Sequence, residues 1–279
     1  MQPLRDLEIG VMFWGGRDPV ETLRELKALG VRCGQIGIPG DMPLAGAAAK
    51  WKSALAAEEF TVVTAFCAYN GESYADIPTV QKTVGFIPLV TRASREQRTY
   101  DVSDFARDAG IPSIATHIGF VPEGPSDGDY LAVREMVRRV CDHAGKNKQT
   151  FALETGQEKA ETLLCFLIDV NRFNLGINFD PANMILYGTG DPIAALDTLS
   201  QHVISVHCKD GNWPPKGVAG ALGEEQPLGQ GAVGMERFIA KLKSIRFKGL
   251  LNIEREVSDP AQRLRDIGMG VKLLEKLRG

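Results

Sequence analysis

The sequence predicts an α/β protein, a single (β/α)8 TIM barrel over residues 1–279, and three observations predict it. Strand-like runs alternate with helix-like segments along the whole chain. The pairs Asp18-Pro19, Asp191-Pro192 and Asp259-Pro260 open three helices in one way, with an acid as N-cap and proline in the first turn. Four successive strands carry a charged or ionisable side chain inward at their C-terminal end, where such a barrel places its chemistry.

The third observation rests on parity. In Asn174-Leu-Gly-Ile-Asn-Phe-Asp180, residues Leu175, Ile177 and Phe179 share one face, so Gly176, Asn178 and Asp180 share the other, and Pro181 breaks the run. In Phe151-Ala-Leu-Glu154 the apolar Phe151 and Leu153 leave Ala152 and Glu154 inward. In Val203–Lys209, Ile204, Val206 and Cys208 face out while Ser205, His207 and Lys209 face in. In Leu250–Glu254, Leu251 and Ile253 face out, and Asn252 and Glu254 face in. Glu154, Asp180, His207 and Glu254 thus meet at one rim.

Taken in order, Glu8–Trp14 is the first strand, followed by a helix from Asp18 closed by Gly30. Val31–Ile38 is the second strand, and the alanine-rich Leu44–Glu59 is its helix. Phe60–Cys67 is the third strand. Ala68–Val90, with Asn70-Gly71, Pro78, Gly85 and Pro88, has no period and is expected to be a long loop. Ser94 with Gln97 forms the capping box of a helix ending near Ala109. Ile111–Ile118 is strand four, with His117 inward near its end; Tyr130–Ala144 and Lys159–Val170 are the next helices. A second Pro- and Gly-rich rim loop runs from Asp210 through Trp213 to Gly231. Met235–Ile245 and Pro260–Leu277 close the chain, the latter with Leu264, Ile267, Val271, Leu274 and Leu277 at helical spacing.

Composition bounds the function. A chain of 279 residues, 44% hydrophobic, can bury one core of the size such a barrel needs, about 250 residues. The net charge of -3 argues against a nucleic-acid surface. Five scattered cysteines without a CxxC spacing favour a reducing compartment over a disulfide framework. The Met1–Ile9 segment has no apolar signal core, and no run approaches the roughly 18 apolar residues of a membrane span, so a cytoplasmic protein without a membrane partner is expected. Assembly into a homo-oligomer stays open.

Two glutamates, an aspartate and a histidine form a hard oxygen and nitrogen set suited to one divalent ion, with Mn first and Mg, Co or Zn also compatible. Such an ion leaves positions for substrate oxygens and can polarise a carbonyl so that the neighbouring C–H becomes acidic. A single acid at a strand end is commonly a solvated group or a helix cap; four at the same end of successive strands point to a metal. His117 is either a substrate contact or a wall histidine. Trp14 and Trp213 offer faces on which a sugar could stack, although rim aromatics often only pack. His143 and His202 read as surface groups, Gly229-Gln-Gly231 as a turn, and Cys208 as a small buried hydrophobe.

Taken together, Phe151-Ala-Leu-Glu-Thr-Gly156, Phe179-Asp-Pro-Ala-Asn183, Val206-His-Cys-Lys-Asp-Gly211, Pro227-Leu-Gly-Gln-Gly231 and Ile253-Glu-Arg-Glu256 resemble the sugar phosphate isomerase/epimerase family. That family shares its xylose-isomerase-like TIM barrel with ketose 3-epimerases, inosose dehydratases and endonuclease IV enzymes. The resemblance implies a metal bound by Glu154, Asp180, His207 and Glu254, with Glu154 and Glu254 also the catalytic pair. One takes the proton beside the carbonyl and the other returns it to the opposite face, through a metal-held enediolate. It also places Lys209 near substrate oxygens and His117 as a polar contact. Asn183 departs from the histidine that many relatives carry, which leaves a three-zinc nuclease site incomplete and puts one substrate contact in doubt.

The resulting expectation is a divalent-metal-dependent isomerase or epimerase of a ketose or related polyol ketone, with a small-molecule sugar as partner. A dehydratase of a keto-inositol or related sugar uses the same intermediate and is the alternative. A non-catalytic metal- and sugar-binding protein is the alternative of another class.

Overall fold

A strand whose outer face is apolar can lie in a parallel sheet only if a helix covers that face, and each of the eight barrel strands in this chain is followed by a helix before the next barrel strand begins. The computed structural model describes residues 4–279; Met1–Pro3 of the N-terminal reading lie outside them. The elements are β1 (Ile9–Trp14), α1 (Pro19–Ala28), β2 (Cys33–Ile38), α2 (Ala47–Ala57), β3 (Thr61–Cys67), α3 (Ile77–Thr83) and α4 (Leu89–Ala109). There follow β4 (Ser113–Thr116), α5 (Gly128–Lys146), β5 (Thr150–Glu154), α6 (Ala160–Val170), β6 (Leu175–Phe179), α7 (Pro181–Tyr187) and α8 (Pro192–Leu199). The chain continues through β7 (Val203–Cys208), β8 (Asp210–Asn212), β9 (Glu224–Gln226), α9 (Met235–Ser244), β10 (Leu251–Ile253) and α10 (Pro260–Arg278). Strands β1 to β7 pair in parallel with their sequence neighbours, and β10 lies between β7 and β1, which closes an eight-stranded barrel.

The outward residues Leu153, Ile177, Phe179, Val206, Cys208, Leu251 and Ile253 are buried in the main core beneath the helices. Phe179 stacks on Phe238 of α9 with ring centroids 6.0 Å apart. Burial of one such ring contributes roughly 1.5–3 kcal/mol. Met12, Phe66, Ala115 and Ala152 form a separate small cluster. They alternate with the outward residues of their strands and so occupy the barrel interior. Beside them lie the fully buried Gln35, Asn178, His207 and Asn252, a polar layer where a barrel more commonly packs branched aliphatics.

The Asp-Pro devices act as expected. Asp18, Asp191 and Asp259 each accept backbone N–H bonds at the start of α1, α8 and α10. Asp76 and Asp180 do the same for α3 and α7.

Three expectations need correction. Ala68–Val90 is not all loop: Ile77–Thr83 forms α3. Seven residues are too few to show a period, and their apolar members pack in a satellite cluster of Val80, Val84, Tyr187, Ile77, Phe120 and Leu222. The Ser94 and Gln97 capping box does not form. Helix α4 starts six residues earlier, with Pro88 and not Ser94 at its N-cap, and Ser94 Oγ bonds the Thr91 carbonyl within it. Arg92 supports this early start by donating to the Phe86 and Ile87 carbonyls and to Asp129. The segment after β7 is not a plain loop either, because β8 and β9 pair antiparallel. Asp210 ties its ends together, accepting from the N–H groups of Gly211, Gly229 and Val233.

The two rim segments touch across the barrel mouth: Ile77 N–H donates to the Gly220 carbonyl at 2.9 Å. Arg95 fixes the first segment from below through the Gly85 and Thr83 carbonyls, and Glu72 accepts from Gly85 N–H at 2.8 Å. All five cysteines are free, and among the described residues no helix is long and apolar enough to cross a membrane.

At Gly34 of β2 an added Cβ would sit 2.1 Å from the Val11 carbonyl oxygen of β1. Gly124 has open space around it. Gly34→Ala is therefore expected to destabilise the barrel by more than about 2 kcal/mol in denaturant unfolding. Gly124→Ala should stay within about 0.5 kcal/mol of the unsubstituted protein. Equal stability of the two variants would contradict the close packing of β1 on β2.

Candidate active site at the barrel mouth

Four strand ends deliver the cluster. Glu154 is the last residue of β5, Asp180 follows β6, His207 lies in β7 and Glu254 follows β10. Each offers one ligand atom, and these atoms all lie within 4.8 Å of one another. His207 Nδ1 lies 2.9 Å from Glu154 Oε1, 3.2 Å from Glu254 Oε2 and 3.8 Å from Asp180 Oδ2. The Phe66 ring lies against His207, with centroids 6.1 Å apart.

Asp180 divides its two oxygens. Oδ1 caps α7 by accepting from Ala182 N–H at 2.8 Å and Asn183 N–H at 3.0 Å. Oδ2 is buried with no hydrogen-bond partner. A buried carboxylate oxygen without a donor is costly unless something positive faces it. With three carboxylates and an imidazole nitrogen converging there, the donor set fits a divalent cation.

The electrostatics agree with that charge pattern. Burial pushes the Glu154 carboxyl up to about 7, against the opposing pull of His207. Burial also opposes ionisation of Glu254, but the charges of His207 and Lys209 outweigh it and hold this carboxyl well below its ordinary range. Burial works against a charged His207 and a charged Lys209 as well, yet the surrounding carboxylates raise both well above their usual values. Two glutamates in one site are thereby pushed in opposite directions.

Lys209 is 3% exposed and donates to Glu256 at 2.6 Å, with its Nζ 3.1 Å from Glu254 Oε2 and 3.5 Å from Asn183 Oδ1. Above it lies a cavity of about 220 Å³ lined by Tyr74, His117, Asn183, Leu186, Tyr187, Lys209, Leu222, Gly223, Glu225 and Glu256. His117 Nδ1 lies 3.2 Å from Gln157 Nε2, which also donates to the Tyr187 hydroxyl at 3.3 Å. Burial drives the pKa of His117 down to about 3. As a neutral ring that accepts at Nδ1 from Gln157, it carries its proton on Nε2. Asn183 is buried beneath Gly156, where a Cβ would come 2.3 Å from the Asn183 Cβ.

The sequence-derived residues Glu154, Asp180, His207 and Glu254 therefore meet, with Lys209, Asn183 and His117 beside them. The two tryptophans lie elsewhere. Trp14, 41% exposed, lines a groove with Arg17, Arg255 and Leu264 between β1, α1 and α10, and Trp213, 47% exposed, is not part of the cavity wall. His143 pairs with Asp104 on the outer surface. Sequence reasoning missed Tyr74, Tyr187, Gln157, Glu225 and Glu256, which belong to loops, to helix α7 or, for Glu225, to the short strand β9. It also missed Gln35. That residue had a legible signal, being the one polar side chain in Cys33-Gly-Gln-Ile-Gly-Ile38.

Fold and site together define a closed parallel barrel with its donors at the carboxyl ends of the strands. The chain matches the family described as xylose isomerase-like TIM barrel over residues 23–277 and belongs to it. A crystal structure of a xylose isomerase domain protein from Planctomyces limnophilus is 42% identical over 98% of each chain, with a TM-score of 0.92. At 18% identity, a D-allulose 3-epimerase from Methylomonas sp. shares the fold over 100% of each chain, with a TM-score of 0.71. A xylose isomerase-like TIM barrel protein from Mycobacterium smegmatis in complex with magnesium is 16% identical over 97% of this chain and 96% of that one, with a TM-score of 0.69. An uncharacterized protein from Methanocaldococcus jannaschii is 26% identical over 166 residues, so the chain spans about half the length of that curated relative, 54%.

His117 carries a testable consequence. Its folded pKa of about 3 lies below the ordinary 6.5, so the unfolded chain takes up a proton first. The stability it contributes is full above the unfolded value and is lost as pH falls from about 6.5 towards 3. Its ring resonances should show no titration across about pH 5 to 8, where ordinary histidines change charge. A midpoint near 6.5 would contradict the neutral ring held by Gln157 at the cavity wall.

Proposed function

We propose that this chain is a divalent-metal-dependent sugar isomerase or epimerase, moving a proton on the carbon beside a carbonyl of a ketose or related polyol ketone. The observation that carries this reading is the convergence of Glu154, Asp180, His207 and Glu254 within 4.8 Å, with Asp180 Oδ2 left without a donor. These four residues would hold the metal, Mn in the first place, with Mg, Co or Zn also suited to the set. When bound, the ion supplies Lewis-acid polarisation of the substrate carbonyl. A magnesium complex of a structural relative is compatible with that assignment.

The chain's own residues supply the rest. Glu154 and Glu254 come from different strands and have acidities driven apart, which suits one as the base that removes the proton and the other as the acid that returns it. Lys209 sits between Glu254 and the cavity and can stabilise charge developing on a substrate oxygen. The neutral His117 can donate from Nε2 to a hydroxyl. Tyr74, Leu186, Tyr187 and Leu222 give the cavity apolar walls for the C–H face of one sugar, while Asn183 and Lys209 give polar contacts. The D-allulose 3-epimerase relative supports a small sugar as partner. Five free thiols accord with a cytoplasmic setting.

The purified protein, supplied with Mn²⁺ and a ketose panel in deuterated water, should incorporate deuterium beside the carbonyl. Glu154→Gln and Glu254→Gln should each lower that exchange by at least about 100-fold while leaving thermal unfolding cooperative. A product lighter by one water would assign dehydratase chemistry instead, and no exchange with any ketose would leave a non-catalytic binding role.

Metal binding is testable without substrate. Mn²⁺ at about 100 times its Kd should stabilise the fold by about 2.7 kcal/mol. Asp180→Asn keeps an oxygen for the α7 cap but removes the charge, so it should abolish that stabilisation. An unchanged metal response in this variant would contradict the ligand set.

A further inference from the structure

The polar layer beneath the cluster has a fixed direction. Asn178 Nδ2 donates to Glu154 Oε2 at 2.5 Å. A carboxylate kept ionised by a bound cation only accepts, and Glu154 Oε1 faces the histidine, so the amide of Asn178 turns its NH2 toward Glu154 Oε2 and its oxygen away. That oxygen accepts from Gln35 Nε2 at 3.0 Å and from the Ser205 hydroxyl. Gln35 has then committed its NH2, and its Oε1 lies 3.0 Å from His207 Nε2. An amide oxygen cannot donate, so His207 Nε2 must carry a proton. Gln35, Asn178 and His207 are all fully buried, and Ser205 is nearly so, which leaves no open route for solvent to reverse the order.

We infer that Gln35 and Asn178 are positioning residues that hold the Nε2 proton of His207 in place, so that when a cation binds it is Nδ1 that gives up its proton and turns a lone pair to the ion among the three carboxylates. Gln35 reaches from β2 across the barrel interior to β6 and β7, and it ties the direction of one hydrogen-bond chain to the orientation of the imidazole. The inference rests on the metal-dependent reading above. It adds that cation affinity depends on a residue that contributes no ligand atom.

The relay also explains the composition of the layer. A hydrophobic residue at position 35 would fill the same space but leave His207 Nε2–H buried without an acceptor. It would also remove one of the donors to Asn178, so the amide that holds Glu154 could turn over. An acceptor placed on the far side of a ligating imidazole commonly changes metal affinity by about 10- to 100-fold.

The test combines binding and spectroscopy. In ¹⁵N-histidine-labelled protein loaded with Mg²⁺, with the other three histidines assigned by substitution, long-range ¹H–¹⁵N correlation should show His207 protonated on Nε2 and not on Nδ1. Gln35→Leu should weaken Mn²⁺ binding by about 10- to 100-fold in calorimetry and remove the hydrogen-bonded Nε2–H signature. Ser205→Ala deletes one donor to Asn178 without touching His207 and should weaken binding by a smaller factor. Protonation of His207 on Nδ1 in the wild-type spectrum would overturn the inference even if Gln35→Leu failed to fold. Wild-type affinity and an unchanged tautomer in Gln35→Leu would overturn it while leaving the metal reading intact. A wild-type protein that binds neither Mn²⁺ nor Mg²⁺ would overturn both.

Discussion

Three carboxylates share one buried pocket at the mouth of this barrel, and they can do so only against positive charge. Glu154 and Asp180 are essentially inaccessible and Glu254 nearly so, at 11% side-chain exposure. Removal of such groups from water costs several kcal/mol each unless it is offset. His207 stands among them and Lys209 beside them, but Asp180 Oδ2 still has no donor. The deficit is local and points to one place, the centre toward which His207 Nδ1 also faces. On our reading a divalent cation fills it, and the chemistry follows from the same imbalance.

The surrounding structure serves that centre by holding its donors still. Asp180 is fixed because its other oxygen starts a helix. Glu154 is gripped by Asn178, and His207 by Gln35, so two ligating groups are oriented from inside the barrel. Above them the β8–β9 ladder and the α3 segment meet through Ile77 and Gly220, which reduces the open mouth to a cavity of about 220 Å³. Precise placement of donors on strands, with selectivity left to the segments above, is the usual division of labour in barrel enzymes.

What the sequence discloses follows from the range of the interactions involved. Strand parity alone brings Glu154, Asp180, His207 and Glu254 to one rim, because alternation along a strand is a local geometric fact. The Asp-Pro helix starts are legible for the same reason. Helix α3 is not, since seven residues around Pro78 carry no period and its packing partners, Tyr187 and Leu222, lie more than a hundred residues away. The early start of α4 depends on Arg92 reaching Asp129, and the β8–β9 ladder on a carboxylate, Asp210, that bonds across a loop. Gln35 illustrates the boundary: its parity places it inward, but its partners on β6 and β7 could be known only once the barrel had closed. Trp14 shows the converse, for an aromatic at a strand end proved to face a groove between α1 and α10 and not the cavity.

The most direct measurement is anomalous X-ray scattering at the manganese edge from crystals grown with Mn²⁺. The account predicts one strong peak in the barrel mouth, within bonding distance of oxygens of Glu154, Asp180 and Glu254 and of Nδ1 of His207. A peak bonded elsewhere, or crystals that take up no manganese at this position, would contradict it.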